Sequence, residues 1–176
     1  MRHITALRNV RVRGEGLATR AVDLIFDGGL ITAVEPAADL DAPGAEEVDG
    51  HGLLAMPTVV NAHAHVDKSW LGLEWQSYGG EGGTDGRIRH ERARRDELGI
   101  PSVERTREVL QAFVEYGTTA LRTHVDVDLG VGLRGIEAVR EAVAEWEGAL
   151  HAEIVAFPQD GVLRRDGVAD LLRQAV

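Results

Sequence analysis

After residue 57 this 176-residue chain alternates three apolar runs with two helical patterns, and that alternation leaves few folds open. The runs are "PTVVNAH" from Pro57, "TTALRTHVDV" from Thr118 and "LHAEIVAFP" from Leu150. Between the second and third, Leu133, Ile136, Val139, Val143 and Trp146 recur at three and four residues, which makes one apolar stripe on a helix. An earlier helix is predicted over residues 102–116, with Ser102 as its N-cap, Glu104 at its positive end and Gly117 at its C-terminal turn. Strand, helix, strand, helix, strand implies a parallel sheet. Before residue 57 the texture differs. "ITALRNVRVRG", "AVDLIFDGG" and "LITAVEPA" are short Val-, Ile- and Leu-rich segments broken by Gly, Asp and Pro, as expected of small antiparallel sheets with tight turns. "DGG" at 27–29 supplies the residues a hairpin turn needs. Two parts are therefore expected, a β-rich segment over 1–56 and a β/α part over 57–176.

Each strand of the β/α part ends in polar groups. His63 and His65 close the first, His124 and Asp126 the second, and Gln159 follows the third. In α/β folds, sites are built at the C-terminal ends of strands. Side chains at i and i+2 of an extended segment share a face, so the two imidazoles of "HAH" form half of a metal site. With no cysteine in the chain, any metal must sit on His, Asp or Glu, and thiolate sites and disulfides are excluded. A net charge of -10 argues against a phosphate-backbone binder, so no nucleic-acid partner is expected. No run approaches the ~18 apolar residues of a membrane span, and the N-terminus lacks an apolar signal core. The expectation is a soluble cytoplasmic protein without a membrane partner.

"LLAMPTVVNAHAHVDK", "GTTALRTHVDVD" and "EIVAFPQDG", in this order, resemble the amidohydrolase superfamily and, within it, the cytosine-deaminase-like branch that includes triazine-type aminohydrolases. The resemblance implies a metal-dependent (β/α)8 TIM barrel preceded by a small β-sandwich segment. It implies one divalent ion, Fe2+ or Zn2+, held in part by His63 and His65, and a substrate-orienting amide at Gln159. His124 and Asp126 would lie near the metal pocket without being ligands. Asp67 would orient an imidazole or make a turn bond of its own. The implied reaction is hydrolytic deamination of a heterocyclic amine such as cytosine or a related pyrimidine or triazine, a small-molecule substrate. Full-length parents are expected as homo-oligomers.

An eight-unit barrel takes about 250 residues, and residues 57–176 offer room for three β/α units. The expectation is an N-terminal part of a longer enzyme, inactive alone, with no catalytic proton shuttle in this chain. Two other readings carry weight: part of a binuclear cyclic amidase of the dihydroorotase or hydantoinase type, and a non-catalytic binding remnant. The connection over 69–101 is far longer than an ordinary βα loop and holds Trp70, Trp75 and Tyr78 beside a glycine cluster. It reads equally as a lid over a planar heterocycle or as aromatic packing. Its run "RIRHERARRDELG" reads as a solvated helix face, and His3, His51, His90 and His151 are assigned no role.

Overall fold

The computed structural model describes residues 3–13, 20–37 and 46–176; Gly14, the end of the first apolar run, lies outside them. Packing divides the chain into two units, Met1–Pro57 and Thr58–Val176.

In the first unit, β1 (Ala6–Val12), β2 (Val22–Asp27) and β3 (Leu30–Pro36) pair antiparallel in sequence order. The β2–β3 loop is Gly28 and Gly29, with φ of 55° and 80°. A two-residue hairpin of the twist-matched kind requires positive φ at both positions, which glycine adopts without steric cost. The expectation of antiparallel sheets alone does not hold here. β4 (Glu47–Asp49) and β5 (Leu54–Ala55) both pair with β1 in parallel, so the described residues form one mixed sheet. The reason lies at Asn9, where φ is 51° and the β1 register shifts. Asparagine tolerates that left-handed conformation, and the Asp23 carboxylate accepts its backbone N–H at 2.8 Å. Beyond this irregularity β1 offers a second stretch of edge, which β5 takes up. Val10, Val22 and Leu24 form the buried centre of the unit.

The second unit is a parallel sheet of β6 (Val59–Ala64), β7 (Thr118–Asp126) and β8 (His151–Phe157), in that spatial order. Its helices are α1 (Gly83–Leu98), α2 (Val103–Glu115), α3 (Arg134–Ala144) and α4 (Val168–Gln174). Ser102 Oγ caps α2 by accepting the Arg105 N–H at 3.2 Å, and Gly117 turns the chain with φ 85°. The expected stripe on α3 packs inward, with Ile136 and Val139 buried and Leu133, Val143 and Trp146 against the same core. Leu110, Leu121, Val125 and Val127 complete that core on one face of the sheet. The other face carries Arg122, His124 and Asp126 of β7 in register with Glu153, Val155 and Phe157 of β8. Apolar burial against α2 and α3 therefore fixes which residues are left on the opposite face, because side chains alternate along a strand.

Candidate functional site

The C-terminal ends of all three parallel strands carry the site. β6 has irregular register between Asn61 and Ala64, and the chain then enters a single 3-10 turn, Val66–Lys68. That turn is pinned by Thr123 Oγ1, which accepts the Val66 N–H at 3.1 Å, while the Thr106 hydroxyl stands 3.4 Å from the Val66 carbonyl and donates to the nearer Ser102 carbonyl at 2.9 Å. The neighbouring imidazoles are thereby aimed across the sheet. His63 and His65 rings lie 5.3 Å apart between centroids, and His124 of β7 stacks on His63 at 4.3 Å and approaches His65 at 5.7 Å. Phe157 at the end of β8 stands edge-on to His65 and His124, 5.9 Å from each. A cavity of about 430 Å³ opens beside His63 and His65, walled by Leu71, Val109, Phe113 and Tyr116.

Burial pushes the His65 imidazole below its ordinary value, and the nearby Lys68 ammonium acts the same way; the His124 backbone and the Asp126 charge oppose the shift. The neutral ring, with a lone pair to give, is therefore favoured. The Nδ1 atoms of His65 and His124 are buried without a hydrogen-bond partner. An unpartnered buried imidazole nitrogen is a donor that a divalent ion would use, so the donor chemistry fits at His65. The fit is partial. Among the described residues, no group of three or more His, Cys, Asp or Glu side chains is arranged to hold a metal ion.

The carboxylates predicted near this pocket have other partners. Asp126, 1% exposed, accepts from Arg95 at 2.7 Å and from Lys68 at 3.1 and 3.2 Å. Asp67 Oδ2 accepts the Asp126 N–H at 3.1 Å instead of an imidazole N–H, and its Oδ1 is buried without a partner. Burial raises the Asp67 carboxyl to about 6, an effect the Asp126 N–H counters. Since the folded-state value lies above the unfolded one, the folded chain keeps a proton that the unfolded chain loses between about pH 4 and pH 6. Stability linked to this group is present below that window and lost as pH rises through it. Asp67→Asn keeps the acceptor and removes the charge. Urea unfolding at pH 7.5 should therefore show it more stable than the parent by on the order of 2 kcal/mol, with no difference near pH 3.5. Equal stabilities at pH 7.5 would contradict this account of Asp67.

The charged run is not merely a solvated face. It forms α1, and Arg95 on it is 7% exposed, bonding Asp126 and, at 2.9 Å, Asp128. Burial alone would lower the Arg95 guanidinium, but Asp128 and then Asp126 and Glu91 outweigh it and raise it. Asp128 in turn is held below its usual range against burial by the Val131 and Gly130 N–H groups and by Arg95. Arg92, one turn earlier, bonds Asp160 at 2.6 Å. Sequence reading missed these roles. The available signal was that α1 carries almost no apolar stripe, so any buried face on it had to be charged. Of the aromatics in the same connection, Trp70 lies under Arg94 at 5.5 Å and Tyr78 meets His90 at 5.0 Å, while Trp75 is 83% exposed.

Gln159 follows β8, and only its backbone is engaged, donating to the Phe157 carbonyl at 3.0 Å. The turn after it is closed by Gly161 N–H on the Pro158 carbonyl at 2.7 Å. Among the described residues its side-chain amide makes no hydrogen bond, so the turn does not employ it.

No family model matches the chain. It is 31% identical over 149 residues to N-isopropylammelide isopropyl amidohydrolase of Pseudomonas sp. (strain ADP), covering 79% of this chain and 36% of that protein. It is 30% identical over 141 residues to the uncharacterized Escherichia coli protein YahJ, covering 79% of this chain and 30% of that one. The crystal structure of N-isopropylammelide isopropylaminohydrolase from Burkholderia multivorans ATCC 17616 superposes with a TM-score of 0.79 at 37% identity, over 98% of this chain and 42% of that one. 5-Methylcytosine deaminase from Klebsiella pneumoniae, liganded with 5-fluorocytosine, shares the fold with a TM-score of 0.72 at 24% identity, over 97% and 40%. The chain thus spans between about a third and two fifths of the length of these proteins. No helix among the described residues is long and apolar enough to cross a membrane.

Proposed function

We infer, from a chain that belongs to the amidohydrolase superfamily, that its strand-end histidines are part of a metal-dependent site for hydrolytic removal of an amine from a heterocycle. The carrying observation is the meeting of His63, His65 and His124 from two adjacent strand ends, with His65 held toward its neutral form. Two of the relatives named above are hydrolases of N-isopropylammelide by name, which supports a carbon–nitrogen bond in a triazine or related heterocycle as the target and gives the cyclic-amidase alternative no support.

In this reading His63 and His65 hold one Fe2+ or Zn2+, and the remaining ligands lie outside this chain. A divalent ion bound there supplies a water that ionises near pH 7. The other roles belong to residues on the page. Phe157 closes one side of the histidine cluster with an apolar edge, which limits water at the ligand nitrogens. Gln159 offers an unengaged donor and acceptor, the pairing that a ring N–H beside a C=O requires. The three-stranded sheet is read as the opening of a closed barrel. More than half of Val59 and of Val60 is exposed, which a closing strand would cover.

The test is amine release from N-alkylammelides and cytosines, assayed with Zn2+ or Fe2+ on the 176-residue chain and on a longer polypeptide containing it. Release is expected only from the longer polypeptide; turnover by the chain alone, or none from either, would contradict the reading. In the active polypeptide, Gln159→Ala should leave metal content intact and lower kcat/KM by roughly 10- to 100-fold. A change within about twofold for every heterocycle tried would remove Gln159 from the substrate site.

A further inference from the structure

Helix α1 lies in the connection between the first strand and α2, yet its basic residues reach the ends of the other two strands. Arg95 bridges Asp126 and Asp128, the last residue of β7 and the second residue beyond it, at 2.7 and 2.9 Å. Arg92 bonds Asp160 at 2.6 Å and stands 3.1 Å from Asp128, so it spans the ends of β7 and β8. Lys68, in the turn that follows β6, completes the set by bridging Asp126 at 3.1 Å to Glu91 of α1 at 3.4 Å. Asp126 is two residues from His124, Asp160 is next to Gln159, and Lys68 is three residues from His65. One face of one helix therefore holds all three strand ends that carry the proposed site.

We propose that Arg92 and Arg95 are positioning residues: α1 is a charged clamp that fixes His124 and Gln159 by gripping the aspartates beside them, and reaches the His65 end of β6 through the Glu91–Lys68 pair. The proposal rests on the functional reading above for its purpose, though not for its geometry. Neither arginine touches the site. Each acts through a carboxylate, and the planar guanidinium suits the task because its donors hold two carboxylates in one fixed plane, whereas an ammonium such as that of Lys68 bridges them without that rigidity. An apolar helix packed on the same strand ends could slide; paired buried charges register the contact, since each displaced charge is left unpaired.

The test is nuclear magnetic resonance on the 176-residue chain. The readouts are the ring-to-ring contact of His63 and His124, and amide exchange at Val127, which donates to Phe157, and at Gly161, which donates to Pro158. Arg95→Met is expected to abolish the ring contact and speed exchange at Val127. Arg92→Met is expected to speed exchange at Gly161 by about 10-fold or more relative to the α3 amides, which report global opening. Arg92→Lys should restore Gly161 protection, as it keeps a charge opposite Asp160, whereas Arg95→Lys should not rescue the ring contact. If Arg95→Met does not fold, Arg95→Lys and the Arg92 pair decide the matter. Strand-end amides that change no more than the α3 amides, with the ring contact intact, would overturn the clamp and leave the arginines a general stabilising role. A parallel Zn2+ titration separates the two ideas: loss of these signatures in the variants of a chain that binds no Zn2+ sustains the clamp and defeats the metal reading.

Discussion

Replacing His63 or His65 by alanine is expected to lower the affinity of this chain for Zn2+ by about 100-fold or more, measured by calorimetric titration near pH 7.5. Loss of a partner one shell out from a metal already costs about 10- to 100-fold, and removing a ligand itself costs more. Two imidazoles are the whole of what this chain is proposed to contribute, so either deletion leaves a single neutral donor. His124→Ala should act more weakly, by about 10-fold, because it stacks on His63 and acts through that ring's orientation. Lower pH should weaken binding in the parent chain, since a protonated imidazole cannot ligate. Unchanged affinity in both His63→Ala and His65→Ala would move the metal elsewhere.

The second large effect falls on stability. Asp126→Ala should lower the unfolding free energy by about 2 kcal/mol or more in urea titration, because it removes one carboxylate partner from the buried Arg95 and one from the partly buried Lys68. Arg95 would keep Asp128, and Lys68 would keep only Glu91 at 3.4 Å. The cost comes from cations left under-partnered more than from the pair's own worth. The double variant Asp126→Leu with Arg95→Met should therefore recover part of the loss, with the remainder due to Lys68 and to Asp128, which loses Arg95. A single-variant cost under about 0.5 kcal/mol would show that water enters the network freely.

The contrast between these two regions explains what could be read in advance. Periodicity told the β/α half correctly because Leu110, Val125, Ile136 and Val139 pack by local rules, one helix stripe against one strand face. The convergence of His63, His65 and His124 was legible for a similar reason, since each sits at the end of an apolar run and parallel strands end together. The clamp was not legible. Arg95 finds its carboxylates 31 and 33 residues downstream and Arg92 finds one 68 residues away, and no local pattern distinguishes an arginine that bridges a buried aspartate from one in water. The mixed sheet of the first unit escaped for a different reason, the irregularity at Asn9, which no hydrophobic alternation announces. The engagement of Asp67 with a backbone N–H was likewise hidden, because a carboxylate beside "HAH" serves a ring or a turn equally well.

X-ray absorption at the zinc edge of the Zn2+-loaded 176-residue chain sees the ligand atoms themselves. Nitrogen scatterers are expected at about 2.0–2.1 Å with the outer-shell pattern of two imidazoles, reduced to one in His63→Ala or His65→Ala and lost in the double variant. A spectrum of oxygen ligands alone, unaltered by the double variant, would contradict the two-imidazole site.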